Sequence, residues 1–184
     1  MAYTYSVGAP GIAFADAQCM LGVYNAVGSG KILKVYRAFA MNAQTQTVST
    51  PTQLQLSLLR FSTGSGGLAM NIIKHDTQAP TLPAQVVAST LMSYTADING
   101  SVFKNVMWST KEPLAANAGF VNELQVNPNF TYLWNAEKSY YNDIKVETIV
   151  LREGYGCGIV CNVPSGQVIG SAAVADYFIE FTAE

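Results

Sequence analysis

Apolar and polar residues alternate along most of this chain with a period of two, which is typical of β-strands that are buried on one face. Residues 53–61 read QLQLSLLRF, and their leucines alternate with Gln and Ser before Leu59 and Phe61 reverse the order. A reversal within one strand predicts a β-bulge or a change of sheet at that point. Residues 31–43 read KILKVYRAFAMNA, and their β-branched and aromatic content after Gly-Ser-Gly favours a strand over a helix.

Further stretches of this kind recur at intervals of ~8–15 residues, separated by loops that contain Gly, Pro or Asn. None of them has the pattern of an amphipathic helix with capping residues. The sequence therefore predicts an all-β fold, an antiparallel β-sandwich of jelly-roll type, since 184 residues exceed what an immunoglobulin-like sandwich needs. The remaining predicted strands are 71–75, 85–94, 102–109, 123–126, 130–135, 144–152, 156–162 and 175–182.

The N-terminal stretch differs from the rest, because it is rich in Ala, Gly, Ser and Tyr and shows no clear period. We therefore divide the chain into an irregular N-terminal arm, residues 1–21, and a single jelly-roll domain, residues 22–184. Arms of this composition are often ordered only against a neighbouring molecule. We expect the arm to lie outside the core, so that its deletion leaves the domain folded.

Charged residues make up only 12% of the chain, against about 25% in an average soluble domain. Because interface centres are depleted in charge, this favours a protein whose surface is partly covered by partners. Residues 1–92 hold five basic and two acidic residues, whereas residues 93–184 hold five basic and ten acidic ones. The asymmetry fits complementary contact between copies and equally fits chance. The net charge of −2 predicts neither nucleic acid nor a membrane as a partner.

The three cysteines, Cys19, Cys157 and Cys161, are an odd number and too few for a disulfide framework. A zinc site would need further ligands, and the one histidine, His75, is distant in sequence. We predict buried free thiols, no metal and no cofactor. Whether Cys157 and Cys161 pair with each other stays open.

No motif in the sequence predicts catalysis, and we expect the protein not to be an enzyme. His75 is followed by Asp76, but neighbours on a strand point to opposite faces, and no Gly-x-Ser-x-Gly elbow accompanies them. The glycine series at 154–158 lacks the form of a phosphate loop and predicts a tight turn or bulge. Distant carboxylates can still converge, so a glycan hydrolase is the enzymatic alternative. Its candidates are Glu123, Glu137, Asp143 and Glu147.

Four stretches of the chain occur in a recognisable order: VYNAVGSGKILKVYRAF (23–39), IIKHDTQAPTLPAQV (72–86), WSTKEP (108–113), and VETIVLREGYG (146–156) with the closing FIEFTAE (178–184). With them the chain resembles small jelly-roll structural proteins of tailed bacteriophages, which decorate or cement the capsid or form the base of a head fibre. The resemblance implies a virion protein at the capsid surface, made in the host cytoplasm. The N-terminus does not read as a signal peptide, which agrees with that expectation.

The resemblance also implies partners. It predicts a homo-oligomer, with a trimer favoured, bound to the major capsid protein or to other virion proteins. The alternative is a tail or head-fibre module that recognises a host-surface glycan. Position in the particle, oligomer number and any glycan ligand are left open. The aromatic residues of the arm and of the first strands are the candidate contacts with other copies or with the capsid: Tyr3, Tyr5, Phe14, Tyr24 and Tyr36.

Overall fold

The computed structural model describes residues 2–43, 53–97, 102–109, 130–136, 147–169 and 173–184. Within these ranges the chain forms two antiparallel sheets and no helix, which confirms the predicted all-β class and the β-sandwich. The strands are β1 Tyr3–Ala13, β2 Gln18–Asn25, β3 Leu33–Asn42, β4 Gln53–Ser65, β5 Leu68–Ala69, β6 Ile73–Lys74, β7 Val86–Thr90, β8 Ser93–Ala96, β9 Val102–Ser109, β10 Phe130–Asn135, β11 Ile149–Leu151, β12 Tyr155–Asn162 and β13 Val174–Ala183.

Most predicted strands correspond to one observed strand, and the differences have local causes. The predicted strand 85–94 is two strands, β7 and β8, because Leu91 between them has a positive φ of 52° that interrupts the extended backbone. The predicted strand 71–75 is reduced to the two residues of β6. The described part of 144–152 contains only β11, and 123–126 lies outside the described residues.

The two sheets are linked by a nested order of strand pairs. The first sheet has the order β10-β3-β13-β1-β6, with β11 also on β3, and the second has β5-β7-β2-β12-β4-β8, with β9 also on β4. The pairs β1–β13, β2–β12, β3–β10 and β4–β9 enclose one another along the chain, and all are antiparallel. Successive pairs alternate between the two sheets. The nested pairs therefore follow one another as in a single long hairpin whose two arms cross together from one sheet to the other.

The inward side chains of both sheets form one apolar core. On β13, Tyr177, Ile179 and Phe181 are fully buried in it, whereas the residues between them are partly exposed. This is the period of two that the sequence shows over residues 175–182. Burying a side chain of this size contributes about 1.5–3 kcal/mol to folding.

The prediction that residues 1–21 form an irregular arm outside the core is wrong for the described part of this segment. Residues 3–13 form β1, which lies within the first sheet and pairs with β13 from Tyr3↔Ala183 to Ala13↔Val174. The side chains of Tyr5, Val7 and Ala9 are buried in the core.

The small residues that suggested an arm have a packing role on β1. Gly8 lies opposite Phe178 on β13, and a Cβ atom at Gly8 would lie 2.8 Å from the ring of Phe178. Small residues on β1 therefore accommodate large ones on its neighbour. A segment whose sequence shows no apparent period can therefore form a strand when the partner strand supplies the large side chains.

The reversal at Leu59 and Phe61 reflects a second apolar cluster on the outer side of the second sheet. Both residues are buried there, whereas the preceding leucines of β4 enter the main core. β4 stays in register with β12 throughout, so the predicted change of sheet is wrong. The alternative, a bulge, is confirmed in the pairing with β9, where the register shifts between Leu58 and Leu59.

The glycine series at 154–158 serves two different purposes. Gly154 has a φ of 81° in the turn before β12, which confirms the predicted turn. Gly156 lies inside β12, where a Cβ atom would be 2.0 Å from the ring of the buried Phe61. This glycine therefore provides the space in which the second apolar cluster packs.

Candidate functional site

Three aromatic residues on the outer side of the first sheet form a row across neighbouring strands. Tyr132 on β10 lies opposite Phe39 on β3, which lies opposite Phe178 on β13. The rings of Phe39 and Phe178 stack with centroids 4.9 Å apart and an interplanar angle of 17°. Tyr132 meets Phe39 edge-on at 5.7 Å. All three side chains are partly exposed, so the row is a surface of the sandwich and not part of its core.

Two cross-strand ion pairs flank this row. Arg37 Nη1 lies 3.0 Å from Glu180 Oε2, and Lys34 Nζ lies 2.7 Å from Glu184 Oε1. An exposed pair such as Lys34–Glu184 contributes only about 0–1 kcal/mol to folding, whereas the pair of Arg37 and Glu180 is partly buried. We call the three rings together with these two ion pairs the aromatic face.

A β-bulge positions the basic part of the aromatic face. The pairing of β3 with β13 shifts register between Glu180 and Phe181, which leaves Tyr36 as an extra residue beside Arg37. The guanidinium carbon of Arg37 lies 5.6 Å from the centroid of the Tyr36 ring, a cation–π contact. Bulges re-aim side chains in this way, and here both Tyr36 and Arg37 are partly exposed.

Of the five predicted contact residues, Tyr36 is the one that the structure places at the aromatic face. The prediction of surface contacts is wrong for Tyr5 and Phe14, whose side chains are only 1% and 7% exposed. Tyr5 stacks on Phe181 in the core and donates a hydrogen bond to Pro80 O at 2.8 Å.

Phe14 and the two remaining candidates, Tyr3 and Tyr24, also make packing contacts. Phe14 packs against Trp108 and Tyr177 in the core. Tyr3 packs partly against the main core, and Tyr24 stacks on Phe61 of the second cluster. No described contact brings either tyrosine to the aromatic face. The sequence holds only part of the signal for that face. Phe178 lies at the solvent parity of β13, whereas Phe39 shares the parity of the buried Leu33 and Val35 and is turned outward by the bulge at Tyr36.

Two clefts flank β7 on the opposite edge of the molecule. One, of about 370 Å³, is lined by Tyr24, Val87 and the glycines of the 64–67 loop, and the other, of about 280 Å³, by Tyr5, Ile72 and Leu82 among others. Among their described lining residues there is no carboxylate and no histidine. The described lining of neither cleft supplies the paired acid and base that hydrolysis would use.

Glu153 in the stretch LREGYG has a structural role. Its carboxylate accepts hydrogen bonds from Gly28 N–H at 3.1 Å and Gly30 N–H at 2.6 Å. These two backbone bonds hold the pKa of Glu153 below its ordinary value. Gly154 N–H also donates to Asn25 O at 2.7 Å. The stretch thus fixes the loop between β2 and β3 to the turn before β12.

The three cysteines are buried and free, as predicted. Burial raises the pKa of Cys157 and of Cys161 to about 12, so neither thiol is a nucleophile at neutral pH. Both lie on β12 four residues apart, and a strand rise of ~3.3 Å per residue separates their Cα atoms by ~13 Å. A disulfide between them is incompatible with this fold, since it needs Cα atoms within about 7 Å.

The remaining candidates for chemistry are dispersed. His75 is exposed and offers its backbone N–H to Thr4 O at 3.0 Å. Of the four carboxylates named for hydrolysis, Glu147 is exposed and the other three lie outside the described residues. In the described ranges, no three His, Cys, Asp or Glu side chains are grouped as metal ligands. The same part of the chain contains no helix long and apolar enough to cross a membrane.

Comparisons with protein-family models, with curated proteins and with solved structures found no match to this chain. Function is therefore inferred from the geometry of the molecule and from the resemblance of its sequence stretches.

Proposed function

We propose that this protein is a structural component of a bacteriophage particle, a capsid decoration or cement protein of jelly-roll type. It acts at the capsid surface as a homo-oligomer that binds the major capsid protein or other virion proteins, and it catalyses no reaction. The observation that carries the proposal is the aromatic face, an aromatic row with flanking ion pairs on the outer side of a sheet. It occurs in a chain of which only 12% is charged.

The nested strand order supports the jelly-roll type. In an eight-stranded jelly roll, the first strand pairs with the last, the second with the one before it, and so on inward, with alternate pairs in alternate sheets. The orders β1-β13-β3-β10 and β2-β12-β4-β9 follow that scheme when β5 to β8 and β11 are counted as additions. Viral capsid domains are among the proteins that use this architecture.

The composition of the aromatic face supports an assembly role. Protein interfaces are enriched in aromatic residues and Arg at their centres, and Tyr and Arg are frequent among the residues that dominate binding energy. The rings of Phe39, Phe178 and Tyr132 stand on three hydrogen-bonded strands, so little conformational entropy is lost when a partner binds. A cement protein that contacts several capsid subunits at once would add avidity to each modest contact.

Binding to the particle tests this role. We expect Phe39→Ser to lower the binding of purified protein to capsids stripped of it by at least ~10-fold, because truncating an aromatic residue that dominates an interface costs ~2 kcal/mol or more. The measurement is co-sedimentation of labelled protein with capsids over a concentration series. Tyr155→Ser is the matched control, since Tyr155 is 39% exposed and lies on the second sheet. Equal binding of folded Phe39→Ser and wild type would contradict a role for this face.

The second candidate is a tail or head-fibre module that recognises a host-surface glycan. The flat stack of Phe39 and Phe178 favours it, because sugar rings bind by laying their apolar side on aromatic rings. Arg37 and Glu180 beside the stack can hydrogen-bond hydroxyl groups. Saturable binding to host cells and to a glycan array would support this function, and the absence of both would count against it.

A further inference from the structure

The charges of the aromatic face are sorted by strand. The outward residues of β13 and the residue after it include the acids Asp176, Glu180 and Glu184, whereas those of β3 include the bases Lys34 and Arg37. One strand therefore carries an acidic row and its neighbour a basic row. The asymmetry of charge between the two halves of the sequence has its structural counterpart here, because β3 comes from the first half and β13 from the second.

The sizes of the side chains on this face are also graded. The register places Tyr132, Phe39, Phe178 and Gly8 in one line across β10, β3, β13 and β1. The line has a bulky residue at the β10 end and a glycine at the β1 end. Ser6 lies next to Gly8 on the outer side of β1 and is opposite Glu180, and on its other side it pairs with Ile73 of β6, which is 56% exposed.

We propose that two copies of this chain pack face to face through the aromatic face, about a two-fold axis that runs between β3 and β13 and parallel to them. The rotation lays the basic row of each copy over the acidic row of the other. Arg37 then meets Glu180 of the second copy, and Lys34 meets its Glu184. The inference rests on the proposed function and names one partner, a second copy of this chain.

The same rotation matches the shapes. It brings the Tyr132 end of one copy over the Gly8 end of the other, and the stacked Phe39 and Phe178 over the same stack of the second copy. Every contact occurs twice, as in any isologous interface. A surface whose basic and acidic rows oppose each other under this rotation points to a second copy as the occupant.

The proposal gives the two ion pairs a role between copies as well as within the chain. In the isolated chain the four side chains are 18–43% exposed. Between two copies, each pair joins its symmetry mate in a network of four alternating charges. Opposed like charges would cost several kcal/mol, so the arrangement selects this partner and this orientation. With trimers, as the sequence resemblance implies, the contact joins two trimers.

Charge reversal tests the interface in a way that an intrachain role cannot imitate. Arg37→Glu makes both rows acidic at this level, and Glu180→Arg makes both basic. Each variant breaks the ion pair within its own chain and also opposes like charges between identical copies. Mixing the two variants repairs only the contact between copies, because an acidic face then meets a basic one.

Sedimentation velocity at ~0.1 M salt, where the Debye length is ~10 Å, measures self-association. We expect wild-type protein to associate, each variant alone to associate at least ~10-fold more weakly, and the equimolar mixture to recover wild-type affinity. Arg152→Glu is the control for the change in charge, since Arg152 is exposed in the turn before β12, and it should associate like wild type. Circular dichroism confirms that each variant is folded, and Lys34→Glu mixed with Glu184→Lys provides a second pair should one variant fail to fold.

Monomeric wild type, single variants that associate normally, or a mixture no better than its components would each overturn the proposal. These outcomes are distinct from failure of the proposed function. A protein that does not self-associate but binds capsids in a Phe39-dependent way would keep its virion role and lose the two-fold contact. A protein that passes the mixing test but is absent from particles would lose the virion role alone.

Discussion

At the residue scale, the LREGYG stretch shows how a motif that looks functional can be structural. Glu153 is exposed, yet its carboxylate satisfies two backbone N–H groups of the loop between β2 and β3. Those N–H groups would otherwise depend on water, and the turn at Gly154 has a positive φ that favours glycine. The stretch therefore acts as a clamp between a loop and a turn, and this role requires no ligand.

Glu153→Gln should reveal the clamp through pH. Backbone hydrogen bonds lower the folded-state pKa of Glu153, so its carboxylate stabilises the fold above the ordinary Glu pKa. That contribution is lost as the pH falls through the lowered folded-state pKa. We expect the variant to have a lower melting temperature than wild type at pH 7 and an indistinguishable one in acid.

Thermal unfolding followed by circular dichroism across the pH range measures this difference. Glu147→Gln is the matched control, because Glu147 is an exposed carboxylate outside the clamp. A melting-temperature difference for Glu153→Gln that is as large in acid as at pH 7 would show that the carboxylate charge is not the cause.

Some glycines of this chain also have a role that differs from the one their sequence context suggests. Gly156 looks like part of a flexible series, but it lies within a strand and faces the ring of Phe61. A single sequence cannot show this, because the space that a glycine leaves open is filled by a residue about a hundred positions away. The same limit hid the relation of Gly8 to Phe178.

At the element scale, strands were predictable where one face is buried and the other is not. β4 and β13 show this alternation, and both lie where the pattern indicates. β1 was missed because its small residues obscure the alternation, although Tyr5 and Val7 are buried on one face. The pairing of β1 with β13 could not be predicted, since β13 lies at the other end of the chain and no local signal encodes that contact.

The strongest consequence at this scale concerns β1. Deletion of residues 1–13 should prevent folding, because it removes buried side chains and opens one side of β13. Burial alone contributes about 1.5–3 kcal/mol for each large side chain, and total stability is only about 5–15 kcal/mol. Circular dichroism and the dispersion of amide NMR signals measure the effect.

The matched control is deletion of residues 1–2, which precede β1 and should leave the protein folded. A protein without residues 1–13 that melts close to wild type would restore the hypothesis of an arm outside the core. The two hypotheses therefore make opposite predictions for the same truncation.

At the scale of the whole molecule, the described residues form a sandwich whose candidate functional features lie on its surface. The described cysteines are inert, the histidine is exposed, and the clefts beside β7 lack acid–base pairs among their described residues. The aromatic face was not predicted, because identifying it requires knowing that β10, β3 and β13 are neighbours. The low content of charged residues predicted an assembly protein in general terms. The register of β10, β3 and β13 identifies the surface that we propose for that role.

Quantitative mass spectrometry of phage particles purified from cells that produce this chain tests the proposed structural role in a bacteriophage particle. We expect on the order of hundreds of copies per particle, in proportion to the symmetric lattice that a decoration protein covers. A few dozen copies would instead indicate a tail, vertex or fibre component and favour the glycan-binding alternative. Absence of the protein from purified particles would contradict the claim.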